Sequence, residues 1–466
     1  MYNAYITRIK NLHKHPNADR LQIGECFGNA VIVSMEYEDN QLGIYFPSDG
    51  QVSVAFAEAN NLLRKKDDAG NNMGGYMDPD KRNVTAIKLR GEKSDGLFLP
   101  LKSLESFGDI TTLHEGDRID NFNGNEICCK YIPRKNVRRG HVSEGNRTRK
   151  KKVPVAPLFT EHADTEQLAY NMSAFKPGDE IEITLKMHGT SQRTAYLPVF
   201  KGYKRTFLDK IFKREGTPIY DWGYVSGTRR TVLDDFDGGY YGSNEFREVH
   251  SKLFEGKLWK GETVYYEVVG FTQNGTPIMG NGDNKKLNDK DFVKQYGDTT
   301  IFSYGCSPSG KNGSDITERA VPQSEAYVYR MTMTNEDGDV VEYTPDFMRY
   351  RCEQMGAKTV PVFSKVYIRD DAVIAHNVDG THYGGYLLDG TTYGDAVKNI
   401  AETFYDGPDP VGKTHIREGV VVRIVNRPKF CAYKHKNWYF KALEGVVKVD
   451  AEAPDMEESQ DVEEEN

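Results

Sequence analysis

Apolar and polar residues alternate in short runs through the first 130 positions: "YITRIKNL", "RLQIGECF", "AVIVSM", "QLGIYFP", "VTAIKLRG" and "GLFLPL". Gly, Asn and Asp clusters separate them. Such runs predict several short strands, and hence a small β-barrel or sandwich over 1–130. From about 161 the runs lengthen. "DEIEITLKMH", "ETVYYEVVGF", "TTIFSYGCS", "AYVYRMTMTN" and "EGVVVRIVN" predict longer strands, and "DFMRYRCEQMG" and "GDAVKNIAETFY" are the clearest helices. They predict one larger α+β unit over 161–449. Residues 370–415 read as mostly loop with one helix, and 205–223 as an insertion. No internal repeat is evident.

Charge divides the chain further. The formal net charge of the 466 residues is −8. The closing "DAEAPDMEESQDVEEEN" holds nine acids and no base, so the rest is near neutral. Residues 450–466 offer almost nothing apolar to bury and predict a disordered tail. The segment 131–160 contains "PRKNVRRGHVSEGNRTRKKK", with nine Lys and Arg. It reads as a solvated linker, as a basic strap for phosphates, or as both. No apolar window approaches 18 residues, and the N-terminus has no apolar signal region, so neither a membrane helix nor a secretory leader is expected. Six scattered cysteines form no C-x-x-C pair, which suits free thiols in a reducing cytoplasm, a host's if the source is viral.

The first string that points to chemistry is "IEITLKMHGTSQRTAY". Ile181, Ile183 and Leu185 alternate with Glu182, Thr184 and Lys186, so Lys186 leaves the packed face at a strand end. Gly189 permits close backbone approach, and Thr190 and Ser191 bring hydroxyls. Alone, Lys186 reads as a solvated charge. Three later strings change that. "YYEVVG" sets Glu267 in an apolar strand, where an acid needs a partner or a function. "HIREGVVVRIV" sets Glu418 and Gly419 before a buried run; Glu418 is either a salt-bridged acid or a metal or ribose contact. "AYKHKNWYFKAL" sets Lys434 and Lys436 on one side of a strand, where an anion between them would relieve their repulsion. The histidines show no H-x-x-H or H-E-x-x-H spacing for a dedicated metal site.

In this order the strings resemble the covalent nucleotidyltransferase superfamily of polynucleotide ligases and capping enzymes. "KMHGT" is similar to motif I in its RNA-ligase form K-x-H-G. "VSGTRR" stands where motif Ia is expected, "YYEVVG" is similar to motif III, "TTIFSYG" to the aromatic motif after it, "REGVVVR" to motif IV and "KHKN" to motif V. The first region adds "HPNADRL", which resembles the signature of the tRNA-binding OB-fold module of some aminoacyl-tRNA synthetases; a plain turn at Pro16–Asp19, with Arg20 paired to an acid, is the rival reading. DNA ligases and capping enzymes carry an OB domain after motif V, whereas only about 25 acidic residues follow Lys441 here. The chain therefore resembles the RNA-ligase branch with an N-terminal OB module.

The resemblance implies an ATP-dependent RNA ligase that joins 3′-OH and 5′-phosphate ends through a lysyl-AMP intermediate and an adenylated 5′ end. ATP is the AMP donor and Mg2+ or Mn2+ the metal. The partner is RNA, or an RNA-containing nicked duplex. A monomer is the default. Lys186 is the expected AMP carrier, with Lys434, Lys436 and Glu418 catalytic. Glu418 is the first metal candidate and Glu267 the second. Nucleotide contacts fall to His188, Gly189, Thr190, Glu267, Leu185 with Thr184, and Phe302 or Tyr304, read as two apart on one strand face. Phosphate and RNA contacts fall to Ser191, Arg193, Arg229 or Arg230, and Lys441. The alternatives are a DNA ligase, a capping-type guanylyltransferase, and an inactive RNA-binding protein on the same scaffold.

Overall fold

The computed structural model describes residues 2–66, 72–132, 154–162, 165–212, 214, 216–233, 236, 244–311, 321–386 and 390–449. Most of the basic segment and the whole acidic tail lie outside them. The described chain is α+β, with many strands and few helices, and it forms two compact units. They follow space rather than chain order. The first takes residues up to 133, but also 282–299 and the helix Trp438–Val449, both within the span expected for the second region.

In the first unit the alternating runs do form strands. They pair into separate sheets of two to four strands, and no closed barrel is among the described residues. The largest sheet orders Leu97–Pro100, Leu42–Phe46, Ala4–Arg8 and Arg118–Ile119. Its inward residues Ile6, Ile44 and Phe46 join Val52, Phe56 and Leu104 in one core. The "HPNADRL" stretch is a turn. Asn17 donates its amide to the Arg90 carbonyl, and Asp19 pairs with Lys14 at 3.3 Å, not with Arg20.

Two seven-stranded sheets build the second unit. The first orders Glu166–Gln167, Cys431–Lys436, Gly419–Ile424, Glu180–Lys186, Val362–Ile368, Ala372–Asn377 and His382–Tyr386. So 370–415 holds more than loop and one helix: two of its stretches are strands extending this sheet. The helix Tyr393–Glu402 covers the sheet's apolar face. It starts in a capping box between Thr392 and Asp395, and its Val397, Ile400 and Ala401 meet Ile181, Ile183, Val420 and Val422. The second sheet centres on Thr190–Lys204, Glu262–Gly270 and Ser324–Thr334, with Thr217–Gly227 hairpinned onto the first of these. That hairpin absorbs most of 205–223. The helix Pro345–Met355 begins with Thr344 as cap and proline at its start, and ends on Gly356 in the left-handed region.

"TTIFSYGCS" departs from expectation. Only Thr299–Thr300 is a strand; the chain then turns, with Ser303 N–H donating to the Ile301 carbonyl and Tyr304 at φ +48. A positive φ at a tyrosine ends any strand. No described helix is long and apolar enough to cross a membrane.

Candidate nucleotide site

The two sheets of the second unit face one another across a cleft of about 860 Å3, its open mouth included. One wall is the strand Glu180–Lys186 with its neighbours. Ile181 and Ile183 are buried in the sheet's apolar core, while Glu182, Thr184, Leu185 and Lys186 line the cleft. Antiparallel register places Gly419 between Lys186 and Lys436, Val421 between Thr184 and Lys434, and Arg423 opposite Glu182. Three lysines therefore share one end of one face, and Glu418 is supplied by the residue just before the middle strand. Gly419 has to be glycine: a Cβ would lie 2.1 Å from the His435 carbonyl oxygen.

Glu418 is 2% exposed and shared. Its Oε1 is 2.9 Å from Lys186 Nζ and 3.4 Å from Lys436 Nζ, while its Oε2 faces His188 Nδ1 at 3.6 Å. Burial pushes this carboxyl up. Lys186, then Lys436 and His188, outweigh burial and hold it well below the usual carboxylate range. The anion expected near the motif V lysines is thus, for Lys436, a carboxylate of the chain itself.

The facing wall is the strand Glu262–Gly270, where Ser191 stands opposite Glu267 and Arg193 opposite Tyr265. The loop after Lys186 must come very close to this strand. A Cβ on Gly189 would lie 2.4 Å from the Val268 carbonyl oxygen and 2.9 Å from Glu267 Cγ. Backbone cannot yield cheaply, and overpacking costs about 1–3 kcal/mol. Gly189→Ala should lower the melting temperature by shifting His188 and Glu267 together, and a thermal melt checks this.

Other expected residues fall around this centre. His188 donates its backbone N–H to the Tyr304 hydroxyl at 2.6 Å and meets the Phe302 ring edge-on at 4.6 Å. Phe302 and Tyr304 are both buried against His415, with ring centroids 5.2 and 4.5 Å away, and neither lines the cleft. They support the His188 loop from behind instead of sharing a strand face. Thr190 and Ser191 lie within the sheet. Thr190 Oγ1 accepts from the buried Arg247, and Ser191 Oγ meets the Tyr329 hydroxyl at 3.0 Å. Leu185 lines the cleft, but its N–H already donates to the Pro361 carbonyl.

Arg193 is buried beneath the loop that carries Thr228 and Arg230, not in the cleft. It stacks 4.1 Å from the Phe159 ring and donates to the carbonyls of Thr228 and Arg230, at 2.9 and 3.4 Å. Of the pair it supports, Arg229 lines the cleft and Arg230 is exposed. Lys441 belongs to the first unit, where it pairs with buried Asp95 at 2.6 Å.

The donor set fits a divalent cation that shares its coordination with a phosphate. Glu418 Oε2 is buried and has no hydrogen-bond partner among the described residues. No cluster of three or more His, Cys, Asp or Glu side chains there could cage a metal alone. Magnesium is commonly held this way, through one or two carboxylates, water and substrate phosphate.

Sequence reasoning missed the far end of the cleft. Glu182 takes a bidentate ion pair from Arg349 at 3.0 and 2.8 Å. His162 and Phe430 line the cleft beside Arg423 and Tyr329. The string "EHADTE" around His162 carries no motif, and nothing local marks it.

Neither a protein-family model nor a curated protein sequence matches the chain. Solved structures with likeness to it include Naegleria gruberi RNA ligase with pyrophosphate, at 14% identity and TM-score 0.49, covering 93% of this chain and 96% of that one. A mutant of that ligase with ATP and Mn has 14% identity and TM-score 0.49, covering 94% and 96%. Another mutant, with AMP and Mn, has 14% identity and TM-score 0.48, covering 93% and 96%.

Proposed function

We propose that this chain is an ATP-dependent RNA ligase working through a lysyl-AMP intermediate. The observation that carries this reading is the carboxylate of Glu418 held between Lys186 and Lys436, at the end of a cleft that also presents Glu267 and Arg229. A solvated strand-end lysine needs no such arrangement. A nucleophile beside a triphosphate needs all of it: an amine fixed in place, a second cation for charge developing on phosphate, and an acid to organise a metal.

In the first step Lys186, as the free amine, attacks the α-phosphorus of ATP. An N–P bond forms, the bond to the bridging oxygen breaks, pyrophosphate leaves, and the amine's proton is lost to solvent. Lys436, and Lys434 one rung away, face the phosphates. Glu267 takes the ribose hydroxyls. A divalent cation bound at Glu418 would neutralise phosphate charge and draw on the carboxylate that otherwise holds Lys186. In the second step a 5′-phosphate oxygen of the RNA attacks the phosphorus of lysyl-AMP, and the Lys186 nitrogen leaves and takes up a proton. In the third the 3′-hydroxyl attacks the activated 5′-phosphate and AMP departs. Arg229 suits the 5′-phosphate, because a guanidinium binds it bidentately. The first unit and the basic segment 134–152 are assigned RNA contact in the last two steps.

Incubation with α-labelled ATP and Mg2+ or Mn2+ should label the protein covalently, and the labelled protein should seal a nick whose 3′-hydroxyl strand ends in RNA. Label from GTP in place of ATP would make it a guanylyltransferase. Equal sealing of all-DNA nicks would make it a DNA ligase. No label from either nucleotide would leave an inactive scaffold and overturn the proposal.

A further inference from the structure

His162 sits in the cleft with its tautomer fixed by a neighbour. Its Nδ1 is 2.8 Å from Arg330 Nη1. A guanidinium has only donors, so Nδ1 must accept. A neutral ring that accepts at Nδ1 carries its proton on Nε2. Burial, then Arg330, Arg229 and Arg193, hold the imidazole well below its usual range, so the ring is neutral at pH 7. The ring is wedged among Tyr265, Tyr329 and Phe430, at centroid distances of 5.1, 5.4 and 5.8 Å, and its backbone N–H donates to the Arg229 carbonyl. Arg330 is itself fixed, by Glu342 and by stacking on Tyr265 and Phe430 at 4.5 Å. Nε2 has no partner among the described residues, and the ring lines the cleft.

Strand register says which part of a nucleotide reaches this donor. On one wall Lys186, Thr184 and Glu182 follow in order, with Arg423 opposite Glu182. On the other Glu267 is followed two residues on by Tyr265, roughly 7 Å further from the Lys186 loop. His162 rests on Tyr265 and also touches Phe430, over which Arg423 lies at 5.1 Å. Both walls therefore run the same way, from Lys186 past Glu267 to His162. A nucleotide with its α-phosphate at Lys186 and its ribose at Glu267 directs its base to His162.

We infer that His162 is a specificity-determining residue that donates Nε2–H to a ring nitrogen of the bound base. The inference rests on reading the cleft as the ATP site. Arg330 and Arg229 tie this donor to the facing sheet and to the motif Ia loop, so it is presented in one orientation before any ligand arrives.

The test is equilibrium binding by calorimetry in a Lys186→Ala background, where no covalent transfer consumes the nucleotide. ATP is compared with its 1-deaza, 3-deaza and 7-deaza analogues. One analogue, the one lacking the accepting nitrogen, should bind about five- to tenfold more weakly than ATP. His162→Asn keeps an acceptor two bonds from Cβ for Arg330 but has no donor at the Nε2 position. It should weaken ATP binding by the same factor and bind ATP and that analogue equally. A His162→Asn protein that binds ATP normally, or that retains the discrimination, overturns the inference. If the variant does not fold, nitrogen-15 spectra of unsubstituted protein decide: Nε2 must carry the proton in the free protein, and its signal must shift on adding ATP; a proton on Nδ1 or an unmoved Nε2 refutes the assignment. Normal labelling of wild type with an unchanged analogue pattern in His162→Asn would sink this inference alone, whereas no ATP binding at all would sink the function as well.

Discussion

Lys186→Ala should abolish covalent labelling by ATP while leaving a folded protein. Lys186 is half-buried and pairs with Glu418 at 2.9 Å. Its removal leaves Glu418 still paired with Lys436 at 3.4 Å, so that carboxylate is not stranded and the fold should lose little stability. The chemistry has no substitute. Lys436 and Lys434 lie two strands away, beyond Gly419–Ile424, and in-line attack tolerates little misplacement. Lys186→Arg should be equally silent, because a guanidinium keeps the positive charge but does not deprotonate to become a nucleophile. Lys436→Ala should behave differently: it removes a cation that stabilises phosphate charge but keeps the nucleophile, so labelling should persist at a rate roughly 100- to 1000-fold lower. Gel autoradiography after timed incubation separates the three variants. A Lys186→Ala protein labelled as fast as wild type would end the lysyl-AMP reading.

The residues that make this prediction possible were legible because each lies on a regular strand with a clean alternation. "IEITLK" and "EGVVVRI" state their own facing, and placing Lys186, Gly419 and Lys436 across one rung needs only those strands to pair. What stayed hidden has no local signature. Arg193 reads as a phosphate contact and Arg247 stands in no motif, yet both are buried, one against Phe159 and the Thr228 carbonyl, the other against Thr190 and the Ser191 carbonyl. "TTIFSYG" alternates as a strand should, but the His188 loop claims the Tyr304 hydroxyl and the backbone turns to deliver it. The two short strands after residue 370 contain glycines and polar residues and hold together by pairing at a sheet edge. Residues 282–299 and 438–449 join the first unit through contacts such as Lys88 with Asp289 and Lys441 with Asp95, between residues far apart in sequence. A pattern read along the chain cannot see a partner 200 or more positions away.

Glu418→Gln should cost both activity and stability, and pH should tell the two origins apart. Gln keeps the size and a hydrogen-bonding oxygen but removes the charge that Lys186 and Lys436 share. Losing one member of a buried ionic group is destabilising by about 3–5 kcal/mol, because what remains is uncompensated charge. Labelling should fall by roughly 100-fold or more, since the variant loses the anchor for the nucleophile and a buried carboxylate oxygen suited to a metal. The folded carboxyl titrates well below its unfolded value of about 4.3. The unfolded chain therefore takes up the proton first as pH falls. The stabilisation from Glu418 is fully present above about pH 4.3 and shrinks progressively below it, towards the depressed folded value. A protonated glutamic acid is close to glutamine in charge and shape. The difference in unfolding free energy between wild type and Glu418→Gln should thus be largest near pH 7 and narrow towards pH 3. Denaturant melts at both pH values measure it. A gap that stays constant would mean that Glu418 stabilises the strand by packing alone, and that the lysines on either side of it are held by something other than its charge.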